Sequence, residues 1–184
     1  MGLWIILGLV GLVVVIVIGL YNGLVRLRVR CDEAWSGIET QLKRRHDLIP
    51  NLVETVKGYA AHERGVFEKV TEMRSRAMSA STPAQAAQAE GMLSQALRGL
   101  YAVAENYPAL KADQSFLSLQ QTLADTENVI AGSRQAYNGV VRDFNTRIET
   151  VPASIIAGMF NFQRREFFEI QDAADRAVPE VRFS

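Results

Sequence analysis

The 184 residues leave room for a membrane anchor and one domain of ordinary size, and hardly for a second. Twenty lysines and arginines are matched by twenty aspartates and glutamates, so no whole-chain field draws the protein to nucleic acid or to acidic substrates. Cys31 is the only cysteine, which excludes a disulfide framework and a cysteine-based metal site and fits a reducing compartment.

The chain opens with LWIILGLVGLVVVIVIGL, 18 residues from Leu3 to Leu20 without a polar side chain. As a helix this run spans about 27 Å at ~1.5 Å per residue, close to the ~30 Å hydrocarbon core of a bilayer. No Lys or Arg precedes it and no small-residue cleavage site closes it, so a retained anchor is expected rather than a signal peptide. Trp4 and Tyr21 stand near its ends, where amphipathic rings favour the headgroup zone. Arg26, Arg28 and Arg30 follow as a membrane-surface basic collar, which by the positive-inside tendency places the C-terminal domain in the cytoplasm and the N-terminus outside. Gly8, Gly11, Gly19 and Gly23 fall within about 120° of one another on a helical wheel, and Gly19 with Gly23 makes a G-x-x-x-G pair. The stripe suits helix packing in a homo-oligomer, although glycine is common in membrane helices generally.

Past Tyr21 the prolines are confined to Pro50, Pro83, Pro108, Pro152 and Pro179, and no alternating strand pattern occurs, so the fold class is all-α. Positions 38, 42, 45, 49, 52, 56, 59, 63, 66, 70, 73 and 77 step by four and three, all apolar except Arg45 and Glu63. This is the coiled-coil-like seam of a helix packed along a neighbour at a shallow angle. It keeps its phase through Pro50, which predicts a kink there and not a reversal. Thr82, Pro83 and Gln85 read as N-cap, N1 and N3 of a second helix ending at Tyr107-Pro108. A third runs to about Thr150 through Phe116, Leu119, Leu123, Ile130, Tyr137, Val140 and Phe144, and a fourth covers roughly 153–177. Residues 24–82 as one helix would reach about 88 Å against about 35 Å for the second helix. The mismatch suggests an anchor (1–21), a juxtamembrane helical stalk (22–48), an antiparallel up-down-up-down four-helix bundle (49–178) and a tail (179–184).

Several stretches carry a family resemblance. They are YNGLVRLR from Tyr21, AWSGI from Ala34, QLKRRHDLIPNLVETVKGYA from Gln41, and His62-Glu63. Further on come AENYPALKA from Ala104, the Phe116 helix with Thr126-Glu127, Tyr137-Asn138 and Phe144-Asn145, and finally VPASIIA from Val151. Together they resemble the LemA family over nearly the whole chain after the anchor. The resemblance implies a bacterial inner-membrane protein with one N-terminal helix and a four-helix bundle. It belongs with a family that has no established enzymatic activity and counts proteins of magnetosome membranes among its members. It transfers no catalytic residue.

A direct search for chemistry finds little. His46-Asp47 and His62-Glu63 are adjacent pairs, and neighbours on a helix point about 100° apart, so neither is a ready acid-base couple. His62-Glu-Arg-Gly-Val lacks the second histidine of H-E-x-x-H. No Gly-rich loop or serine elbow is present. No metal, no cofactor and no catalytic residue is therefore expected, and the chain reads as a non-enzyme. Lys43-Arg44-Arg45 reads as a solvated face in preference to a lipid-phosphate site, and Cys31 as a small buried residue in preference to an acylation site.

Phe160, Phe162, Phe167, Phe168 and Phe183 crowd the last 25 residues. They are read as bundle core, with a partner or membrane contact as the second reading. The expected function is that of a membrane-anchored scaffold or adaptor that self-assembles in contact with membrane lipid. The alternative is a regulatory adaptor presenting its aromatic C-terminal helix to a membrane protein, such as a protease or signalling protein.

Overall fold

A computed structural model describes residues 1–169, and everything placed at 170–184, Phe183 included, lies outside the described residues. The elements are α1 (Gly2–Lys57), α2 (Arg64–Met78), α3 (Pro83–Glu105), α4 (Pro108–Lys111), α5 (Gln114–Glu149) and α6 (Ala153–Met159). The protein is all-α, opening on a long apolar helix, and no strand occurs among the described residues. It divides into two compact units, 1–37 with 135–167 and 38–134 with Phe168 and Glu169. Helices α1 and α5 supply residues to both.

In the second unit one core is built from Ile49, Leu52 and Val56 of α1, Val70 and Met73 of α2, Leu93, Leu97 and Leu100 of α3, and Phe116 and Leu123 of α5. Each such side chain taken out of water stabilises the fold by ~1.5–3 kcal/mol. Lys57 lies over the Phe67 ring while Arg74 reaches the carbonyl of His46, so α1 and α2 run antiparallel. The arrangement is compatible with a four-helix bundle, but one whose first two members differ from those expected. The predicted continuous helix through residue 82 breaks at 58–63, where Tyr59 and Ala60 N–H groups both bond the Val56 carbonyl and Ala60 is buried. Seam positions on both sides of the break remain buried, from Ile38 to Val56 and again at Val70, Met73 and Ala77. Periodicity counts residues and is blind to a change of direction, and Gly58 was the one breaker at the site. Pro50 does lie inside α1, as its phase implied.

The later helix signals behave as read. Thr82 Oγ1 accepts from the Gln85 N–H at 3.3 Å, with Pro83 at the first position, while the Gln85 side chain reaches back to Ser81. Asp113 caps α5, its carboxylate accepting from the Phe116 N–H and the Tyr59 hydroxyl at 2.9 Å each. The Phe116 bond, followed by that from Tyr59, holds its carboxyl below the usual range.

In the first unit α5 returns along α1. The Trp35 and Tyr137 rings meet at a tilt with centroids 5.5 Å apart, as do those of Tyr21 and Phe160 at 4.7 Å. Residues 22–37 therefore do not stand alone as a stalk; α5 and the segment after α6 pack along them. The predicted fourth helix stops at Met159. Asn161 takes φ 54°, its N–H bonds the Gly158 carbonyl and the Phe162 N–H bonds that of Ala157. This is a left-handed helix stop, for which asparagine is the usual substitute for glycine. The following segment runs to Glu169 without regular structure. Asn145 clips it by donating to the Arg165 carbonyl and accepting from the Arg165 N–H, both at 2.9 Å. The Tyr137 hydroxyl donates to the Glu166 carbonyl at 2.8 Å, and Arg165 pairs with Asp32 at 2.8 Å. Side chains thus satisfy backbone groups that a helix would have satisfied internally.

Candidate functional site

Two features could carry function, and the first is the anchor. Every large apolar side chain from Leu3 to Val15, with Ile16 and Ile18, is exposed. A Cβ built on Gly8, Gly11, Gly19 or Gly23 would meet no atom within 4 Å; Gly8, Gly11 and Gly19 are exposed, while Gly23 is partly buried. Arg26, Arg28 and Arg30 are exposed just beyond, with the Arg28 guanidinium 5.3 Å from the Phe162 ring centre. An 18-residue apolar helix surface with no protein over it is stable only in hydrocarbon, and the protein is membrane-associated through it.

The second is a buried ion cluster in the second unit. Arg45 Nη1 lies 2.9 Å from Glu90 Oε2 and 3.0 Å from Glu127 Oε2, and its Nη2 donates to Ser94 Oγ at 2.8 Å. His46 Nε2 meets the other Glu90 oxygen at 2.5 Å. Glu90 is 1% exposed and Arg45 and His46 are also buried. α1, α3 and α5 are thus joined through one guanidinium. Pro50 has no N–H to give the carbonyl four residues back, which is that of His46, and Arg74 Nε from α2 donates to that oxygen at 2.7 Å. The proline that interrupts α1's ladder is thereby tied to the docking of α2.

The sequence reading placed Arg45 on a solvated face; it is buried, while its neighbours Lys43 and Arg44 are exposed. The partner of His46 is Glu90 and not the adjacent, exposed Asp47. Glu90 is marked in the sequence by its place in a seam. Positions 86, 90, 93, 97, 100 and 104 form the four-three seam of α3, in which Glu90 is the one charge, opposite in sign to Arg45 in the seam of α1. His62 is exposed and Cys31 buried, with burial as the main cause raising its thiol pKa. Phe160 is half-exposed, Phe162 and Phe167 are half-buried, and Phe168 is buried.

A groove of 310 Å³ beside the cluster is lined by Arg45, Ser94, Arg98, Tyr101, Gln120 and Glu127 over Leu97 and Leu123. Burial raises the Tyr101 phenol. Ser94 Oγ accepts from Arg45, and His46 is taken by Glu90, so hydroxyl and imidazole are not coupled as nucleophile and base. No group of three His, Cys, Asp or Glu able to hold a metal occurs among the described residues.

A sequence profile described as the LemA family matches residues 34–183, taking in both the ion cluster and the clipped segment. The chain belongs to the LemA family. This LemA-family protein is similar to magnetosome protein MamQ 2 of Paramagnetospirillum magneticum, 24% identical over 184 residues, covering 86% of this chain and 68% of that one. MamQ of Magnetospirillum gryphiswaldense is 23% identical with the same coverage. Protein LemA of Metamycoplasma hominis is 23% identical over 167 residues, covering 89% of this chain and 75% of its own length.

Proposed function

We propose that this LemA-family protein is a non-enzymatic scaffold or adaptor that self-assembles at the bacterial inner membrane and organises membrane or membrane proteins there. The observation that carries the reading is the uncovered anchor. Its apolar surface calls for lipid, and its glycine stripe offers a line of close approach to another helix. Similarity to proteins named for the magnetosome supports an organising role. The collar of Arg26, Arg28 and Arg30 supports a cytoplasmic domain and an outside N-terminus.

Crosslinking in native membranes, followed by sizing in mild detergent, tests this. Self-crosslinked species larger than a monomer are expected, and Gly19→Leu with Gly23→Leu should reduce them. A protein monomeric in both settings sinks the assembly claim. Exclusive recovery of one different membrane protein would favour the regulatory-adaptor alternative.

A further inference from the structure

The tip of the first unit, where α5 gives way to α6, has an apolar surface that the chain leaves uncovered. Val151 is 73% exposed, Ile155 60%, Met159 72% and Phe160 53%. Ile155 and Met159 are four apart on α6, so they share a face, while Ala153, Ile156 and Ala157 turn inward. Helix α6 reads ASIIAGM and carries no charge. A short helix at a water-facing corner would normally be polar on its outer side.

The height of this tip follows from contacts within the unit. Trp35 meets Tyr137, Arg28 meets Phe162 and Tyr21 meets Phe160, so α5 runs back toward the anchor and the 151–160 turn arrives beside Tyr21. Tyr21 is the first residue after the apolar run. Gly23 and Leu27 of α1 line a 600 Å³ groove with Arg142, Asp143, Thr146, Arg147 and Thr150 of α5, at the level where headgroups begin. Arg26, Arg28 and Arg30 on α1 and Arg142 and Arg147 on α5 outnumber Asp143 and Glu149 of α5, so that level carries an excess of positive charge.

We propose that Val151, Ile155, Met159 and Phe160 form a second, non-spanning membrane contact that dips into the leaflet beside the anchor. Its partner is a lipid surface. Continuity with the spanning helix favours this occupant, as does the basic surround, which complements anionic headgroups. An interfacial helix of this kind buries its apolar face ~5–10 Å into the headgroup and acyl boundary. A single spanning helix leaves its domain free to swing; two contacts on one leaflet would fix the domain's face toward the membrane.

The test uses the full chain in phosphatidylglycerol-containing vesicles, on a Cys31→Ser background. Nitroxide labels are placed at Ile155→Cys, Met159→Cys, Val13→Cys in the anchor and Gly132→Cys on an exposed part of α5. Collision with a water-soluble relaxation agent is the readout. Labels at 155 and 159 should be shielded at least about threefold relative to 132, as expected for an interfacial depth. Accessibility equal to that at 132 overturns the proposal, while a shielded label at 13 would show that the anchor itself stands. Independently, Ile155→Asp with Met159→Asp should raise the accessibility of a label at Val151→Cys severalfold, and no change there would also contradict the contact.

Discussion

The two ends of α1 are both apolar, yet they are covered by different solvents. From Leu3 to Leu20 apolar residues occupy every direction of the helix, and none is buried by protein, Val17 and Leu20 alone being partly covered. From Ile38 to Val56 they occupy one line in a period of 3.5, and that line is buried against α2, α3 and α5. The angular width of the apolar surface distinguishes a lipid-facing helix from a protein-facing one, and its total apolarity does not. The protein-facing end is also where a charge is tolerated inside, because Arg45 finds Glu90 and Glu127, whereas the lipid-facing end carries none.

The comparison is broken most sharply by removing the partner of the buried charge. Glu90→Ala leaves Arg45 and His46 without their shared acceptor and should cost about 3–5 kcal/mol in thermal or chemical unfolding of the second unit. Membrane association should be unchanged. A variant as stable as the parent would show that Glu90 is not the keystone of the cluster. The converse change is Val13→Arg in the anchor. It should weaken insertion by ~2.5–3.5 kcal/mol, read as loss from the membrane fraction, and leave the unfolding of the second unit where it was.

Arg74→Ala sharpens the account of the protein-facing half. Without it the His46 carbonyl loses its side-chain donor, and Pro50 cannot supply the helical one, so a cost of about 1–3 kcal/mol is expected. Pro50→Ala restores an N–H inside the helix, so the Arg74 substitution should cost less in that background. Equal costs in both backgrounds would mean that Arg74 acts elsewhere.

The smallest effect belongs to Tyr137 in the first unit, whose phenol is pushed up to about 12, chiefly by burial. Its hydroxyl donates to the Glu166 carbonyl, a bond that ionisation removes. A folded pKa above the unfolded value of about 10 gives a contribution that is complete below pH 10 and lost as pH rises toward 12. Ultraviolet titration should show late-ionising tyrosines, Tyr101 among them, and the step near pH 12 should disappear in Tyr137→Phe.

Much of this was legible in the sequence because it lies in local patterns. The anchor is a run without polar residues, and Thr82-Pro83 is a helix start defined by neighbours. The seam positions held on either side of the break, from Ile38 to Val56 and from Val70 to Ala77, but not at it, where Tyr59 is exposed and Phe67 is buried in place of Val66. What escaped depended on pairs distant in sequence or on a single backbone angle. Arg45 was visible as an exception in one seam, but only Glu90's place in a second seam explains it. Asn161 ends α6 through one left-handed residue that periodicity cannot register amid a run of apolar neighbours. The clipped segment after it rests on Asn145, Tyr137 and Asp32, none adjacent to it in the chain.

The contrast between the two ends of α1 is tested most directly by a cysteine scan of residues 3–57, on a Cys31→Ser background. A membrane-impermeant thiol reagent is applied to both faces of opened native membranes. The account predicts uniform protection from 3 to 20, then protection recurring with a period near 3.5 from 38 to 56. Labelling from 3 to 20 that is uniform, or that follows a helical period, would contradict the claim that this segment lies within the membrane.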